Sequence, residues 1–146
     1  MRSTWIILTL FAGSVLPMQA GMNARLGKAL ESPVAASFIS FVVGAIAVAA
    51  YGLITKEHVS WSGLKTAPAW LWLGGVLGAF YVTVIIYAFP RIGAPLAFGL
   101  VVAGQMIMSI LLDQFNLLVT QQHPINVWRI LGVLLIIAGV VIIRKN

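Results

Sequence analysis

The stretch from Gly93 to Asp113, GAPLAFGLVVAGQMIMSILLD, is apolar over a bilayer-spanning length, yet it carries Gln105, Ser109 and Asp113 at intervals of four. On a helix that spacing puts the three on one stripe. An unpaired polar group in hydrocarbon costs several kcal/mol, about 4 to 8 by transfer to an alkane, so the stripe must face protein, water or a ligand. Whatever the rest of the chain builds has to supply that cover.

Four further apolar runs accompany this one. The five predicted spanning helices cover residues 5–23, 33–54, 70–89, 93–112 and 126–143, each near the roughly 20 residues a bilayer requires. The 146 residues are 61% hydrophobic and 8% charged, about a third of the charge a soluble domain carries. The expected fold is therefore an all-α integral membrane protein, a single membrane domain over residues 1–146 with the lipid bilayer as its surroundings. The formal charge of +6 comes from basic residues set between apolar runs, which suits interfacial anchoring and gives no nucleic-acid patch. The absence of cysteine removes disulfide and thiolate chemistry, and His58 and His123 both fall in predicted loops, so no metal site and no cofactor are expected.

The first run could be mistaken for a signal peptide, but Met18-Gln19-Ala20 is a poor cleavage site and a retained helix is expected. Pro17 lies within it and should loosen or bend it, freeing a carbonyl. Gln19 and Asn23 share a face two residues further on. They read either as interhelical hydrogen-bonding groups or as ligand contacts beside the bend. After a basic connector over 24–32, Ser32-Pro33 has the form of a helix start, with Ser as N-cap and Pro in the first turn. Ser37, Ser40, Gly44, Ala47 and Tyr51 then trace a small or polar stripe, a packing seam from which Ser40 could also reach a ligand.

Trp61 and Trp70 are placed as interface anchors around a polar segment, and Gly74 and Gly78 form GxxxG at the head of the third run. Tyr81, Thr83 and Tyr87 add hydroxyls. The short turn Phe89 to Gly93 makes the third and fourth runs antiparallel neighbours, with Pro95 in the first turn of the fourth. The half-apolar segment QFNLLVTQQHPIN after Asp113 is expected to lie along the interface. The fifth run is wholly apolar beyond Arg129, with Gly132 and Gly139 on one face, and reads as a dimerisation helix.

Five spans put the termini on opposite sides. Arg2, Lys56, Lys65 and Arg129 then face Arg25, Lys28, Arg91, Arg144 and Lys145, four against five. So small a bias fixes no orientation by the positive-inside rule. Two oppositely inserted copies would supply the inverted repeat on which many transporters are built. The expectation is a dual-topology, antiparallel homodimer with a cavity on its pseudo-two-fold axis; a weakly biased single topology is the alternative.

The strings MQAGMNARLG, SPVAASFISFVVG, WLWLGGVLGAFYV, PRIGAPLAFGLVVAGQMIMSILLD and RILGVLLIIAGVVIIRK resemble the YdcZ-like family of the drug/metabolite transporter (DMT) superfamily, in order and over nearly the whole chain. The last three runs are also similar to helices two to four of the small multidrug resistance exporters. The resemblance implies a DMT-type bundle in the bacterial inner membrane, an antiparallel dimer, and Gly132 and Gly139 in its seam. Two departures limit what carries over. Helix one lacks the embedded glutamate on which proton-coupled export of lipophilic cations depends, and Gln114-Phe115-Asn116 stands where the family commonly has His-Phe-Gly. Asp113, at a helix end, is the one candidate for proton coupling, against an interfacial or capping role.

These residues suggest a transporter for a small polar, neutral or zwitterionic solute or drug-like compound. Its substrate would meet Gln19, Asn23, Ser40, Tyr81, Gln105 and Ser109, because amides and hydroxyls without a buried charge leave a bare ion uncompensated. Pro17, Pro90 and Pro95 are candidate hinges. A small dual-topology channel, or an accessory or scaffold subunit in which the same polar groups only join helices, are the competing functions. No nucleophile, base and orienter fall together in the spans, so enzyme activity is not expected.

Overall fold

A computed structural model describes residues 2–118 and 124–145. His123 and part of the segment after Asp113 lie outside the described residues. The chain divides between Arg91 and Ile92 into two compact units. The described residues are helical wherever they are regular, in the order α1 (Arg2–Ala29), α2 (Pro33–Thr55), α3 (Trp61–Thr66), a 3₁₀ turn (Ala69–Trp72), α4 (Leu73–Ile92), α5 (Ala94–Gln114) and α6 (Val127–Lys145). Among the described residues five helices are long and apolar enough to cross a membrane: Ser3–Ala29, Pro33–Thr55, Ala69–Ile92, Ala94–Gln114 and Val127–Lys145.

The first unit is built on the turn between α1 and α2. Ala24, Leu26, Lys28 and Ala29 are sound helix formers, so α1 runs six residues past its predicted end and the connector shrinks to Leu30–Ser32. Glu31 takes a left-handed φ of 52°, and the Ser32 N–H donates back to the Gly27 carbonyl at 3.0 Å. Ser32 then caps α2, accepting from the Ala35 N–H at 3.2 Å, with Pro33 in the first turn as the sequence predicts. Gly27 makes the tight return feasible: a Cβ there would stand 3.3 Å from Pro33 Cα and 3.2 Å from Ile86 Cγ2. Hence α4 also closes on this end of the hairpin. It meets α2 where Gly78 lies against the Phe41 ring and where Ser37 meets Thr83, which makes the two helices antiparallel.

Pro17 lies inside α1, as the sequence predicts, but one turn differs from expectation: α4 continues through Pro90 to Ile92, so the predicted five-residue turn reduces to Gly93. Gly93 has φ 77° and ψ 160°, a conformation that favours glycine, and it stands at the N-cap of α5. Pro90 loses only one hydrogen bond in the last helical turn, where Arg91 folds back to donate to the Tyr87 carbonyl and lies over the Tyr87 ring.

In the second unit α5 and α6 pack as an antiparallel pair. Gly99 receives Val140 so closely that an added Cβ would stand 2.9 Å from Val140 Cγ2. At the other end Arg129 Nη1 meets Asp113 Oδ2 at 2.7 Å. Asn126 caps α6 by accepting from the Arg129 N–H at 2.9 Å, and Gln114 Oε1 accepts from the Ile125 N–H at 3.3 Å. The buried residues are few and small, chiefly Ala20, Ala36, Ile85 and Ile86 in the first unit and Ala97, Ala103 and Val140 in the second. Large apolar side chains instead point outward, as expected where the solvent is hydrocarbon.

Candidate functional site

Gln19 and Asn23 stand one turn apart on α1, and that turn faces α4. Leu16, Gln19, Ala20 and Asn23 from α1, with Tyr81, Val82, Ile85 and Ile86 from α4, enclose a narrow cleft of about 10 Å³. That is room for about one water molecule. None of the lining side chains is charged, and its polar groups are the two amides and the Tyr81 hydroxyl.

The polar side chains behind the cleft are already engaged. Asn23, only 7% exposed, donates from Nδ2 to Ser40 Oγ at 3.0 Å. One turn nearer the start of α2, Ser37 Oγ and Thr83 Oγ1 share a hydrogen bond of 2.8 Å. Ser37 and Ser40 thus tie α2 to α4 and to α1 from a single face, the small-residue seam the sequence marks out. Further along that seam Gly44 has open space around it and Tyr51 is exposed.

Of the sequence candidates, the structure brings Gln19, Asn23 and Tyr81 to one cleft and sets Ser40 behind Asn23. Gln105 and Ser109 belong to the second unit, where both are exposed and neither hydrogen-bonds to another described residue. Asp113 shares their stripe but not their surroundings. Four residues advance about 400° round a helix, so each step of the stripe drifts about 40°. That drift carries Asp113 into the α5–α6 seam, where it meets Arg129 with side-chain exposures of 15% and 32%. In the sequence Arg129 stands out only as a topology charge; its signal as a partner is that Asp113 is the one acid of the chain to fall within a spanning helix. Ser37 and Thr83 are likewise visible as hydroxyls on separate runs, with nothing local to pair them. Among the described residues no three of His, Cys, Asp and Glu gather as a metal site.

Several spanning helices and a sparse interior define a polytopic α-helical membrane protein with an uncharged cleft between two of its spans. The chain belongs to the family described as "Putative inner membrane exporter, YdcZ", within the DMT superfamily, whose model matches residues 4–142. It is a multi-pass protein of the inner membrane and of the transporter class. No curated protein and no solved structure matches the chain.

Proposed function

We propose that the chain is a small dual-topology transporter that moves a small polar, neutral or zwitterionic solute by alternating access across an antiparallel homodimer. The observation that carries this reading is the α1–α4 cleft, lined by Gln19, Asn23 and Tyr81 and by no charge. Two amides and a phenol offer donors and acceptors in fixed directions, while a bare ion entering the cleft would lose its hydration without a counter-charge. At about 10 Å³ the cleft has room for about one water molecule, so α1 and α4 part to admit a larger solute. Ser40 acts by holding the Asn23 amide in place. Pro17 lies beside the cleft and leaves the Gly13 carbonyl without its usual helical donor, so it is the hinge nearest the cleft; Gly93, Pro90 and Pro95 frame the second.

The near-equal charge balance across the spans supports insertion in both directions. The test uses single cysteines at Ser3 and Asn146 in this cysteine-free chain, labelled with an impermeant reagent in intact cells. Labelling at both positions, each in part of the population, is the expected result. Labelling at one position alone refutes the self-paired inverted dimer. The Asn23–Ser40 and Ser37–Thr83 bonds equally suit a scaffold subunit whose polar groups only join helices. Gln19 separates the two functions: Gln19→Leu abolishes uptake of neutral amino acids and polyols into proteoliposomes if the cleft is a substrate path. In a scaffold the same variant has no uptake to lose.

A further inference from the structure

The contacts of Gly99 with Val140 and of Asp113 with Arg129 fix the register of α5 against α6. In this antiparallel pair Gln105 is level with the point between Leu135 and Ile136, midway between Gly132 and Gly139. At about 100° per residue, Gln105 and Ser109 lie about 120° and 80° round α5 from the line to α6. Gly132 and Gly139 lie about 80° and 100° round α6 from the line to α5. Because the helices run oppositely, all four fall on the same flank of the pair.

The two flanks differ in chemistry. One presents Leu100, Ile107 and Leu111 of α5 with Ile130, Leu134 and Val141 of α6, all exposed and suited to lipid. The other presents, among exposed apolar side chains such as Val102, Leu135 and Ile143, an exposed amide, an exposed hydroxyl and two glycines with nothing within 4 Å of an added Cβ. Hydrocarbon solvates neither the Gln105 amide nor the Ser109 hydroxyl, so this second flank requires a polar cover. The glycines leave room for a close one.

We propose that a second, oppositely inserted copy of this chain covers that flank, with each Gln105 amide hydrogen-bonded to the partner's Gln105 and each Gly132 packed against the partner's Gly139. The inference rests on the antiparallel homodimer proposed above and adds its interface and register. A two-fold axis in the membrane plane turns α6 onto an antiparallel α6, and the two glycines exchange only if the axis passes midway between them. That level is the level of Gln105, one residue from the middle of α5 (Ala94–Gln114). One axis therefore satisfies both elements. A primary amide, which both donates and accepts, pairs with its own copy across such an axis. Gln105 on this view is an interface residue of the transporter.

Oxidative cross-linking of single-cysteine, full-length chains in inner-membrane vesicles tests the register. Gln105→Cys should give a disulfide-linked dimer, since the axis brings the two sulfurs together. Two copies of Ser109→Cys would be offset by about 12 Å along the axis at 1.5 Å rise per residue, too far for a disulfide. Ser109→Cys co-expressed with Val102→Cys should cross-link across chains. Ile107→Cys on the opposite flank should remain monomeric. Cross-linking of Ser109→Cys with itself as efficient as that of Gln105→Cys overturns the proposal in favour of a parallel neighbour. Dimers through Ile107→Cys but not through Gln105→Cys, or none from either Gln105→Cys or the Ser109→Cys/Val102→Cys pair, overturn it too. If terminal labelling still shows both orientations in that case, the transporter reading stands and only this interface is lost; labelling of one orientation alone removes both.

Discussion

Replacing Gly99 by alanine tests the closest approach in the second unit. The added Cβ would stand 2.9 Å from Val140 Cγ2, whereas ordinary contact begins near 3.4 Å. Val140 is buried at 8% exposure, and a β-branched residue in a helix holds one strongly preferred χ1, so its methyl cannot swing aside. The helices must separate by several tenths of an ångström, an overpacking that costs about 1 to 3 kcal/mol. Alanine's better helix propensity offsets up to about 1 kcal/mol. The expected net loss is about 1 to 2 kcal/mol, read as a lower midpoint in denaturant titration of the purified protein in mild detergent. Val140→Ala removes the obstructing methyls and should relieve the clash. In the double variant the two losses should fall short of their sum by about 1 kcal/mol, within the range of contacting pairs. Gly99→Ala as stable as the parent, with strictly additive effects of Val140→Ala, would refute the close packing of α5 on α6.

Other outcomes follow from contacts of the same kind. Gly27→Val should prevent the α1–α2 return from closing, because the new side chain meets Pro33 backbone at 3.3 Å as well as Ile86; loss of folded protein in detergent-solubilised size exclusion is the readout. Asn23→Leu removes the bond to Ser40 and should cost about 0.6 to 2 kcal/mol, the range for polar contacts between spanning helices, with loss of solute uptake. Ser40→Ala should lose less stability, since the smaller group leaves room for water to reach the amide. Arg129→Ala should destabilise by about 1 to 2 kcal/mol by stranding a carboxylate that is 15% exposed, and the reversed pair Asp113→Arg/Arg129→Asp should recover part of it. An unchanged denaturation midpoint for Arg129→Ala would show that the ion pair does not close the α5–α6 hairpin.

Much of the architecture was legible in the residues because it depends on local chemistry. Ser32-Pro33 announces the cap of α2, and the predicted helix starts at 33, 93 and 126 fall within a residue of the observed ones. The helix ends were less legible. Beyond Asn23, α1 continues because nothing in ARLGKA breaks a helix that tertiary contacts support, and Pro90 reads as a turn although a single lost bond is tolerable at a helix end. The i,i+4 rule correctly placed Gln105, Ser109 and Asp113 on one stripe, but not on one environment.

The sequence by itself determined that this is a membrane protein, how many helices are long enough to span, and which few polar groups enter them. Those properties follow from apolar length and from hydrogen bonds closed within each helix. Only the tertiary structure decided how those groups are used. Asn23 engages Ser40, Ser37 engages Thr83, Asp113 turns to Arg129, and Gln105 stays on an open flank. Each of these outcomes depends on the rotation and register of one helix against another, which packing of side chains distant in the chain sets and no local pattern encodes.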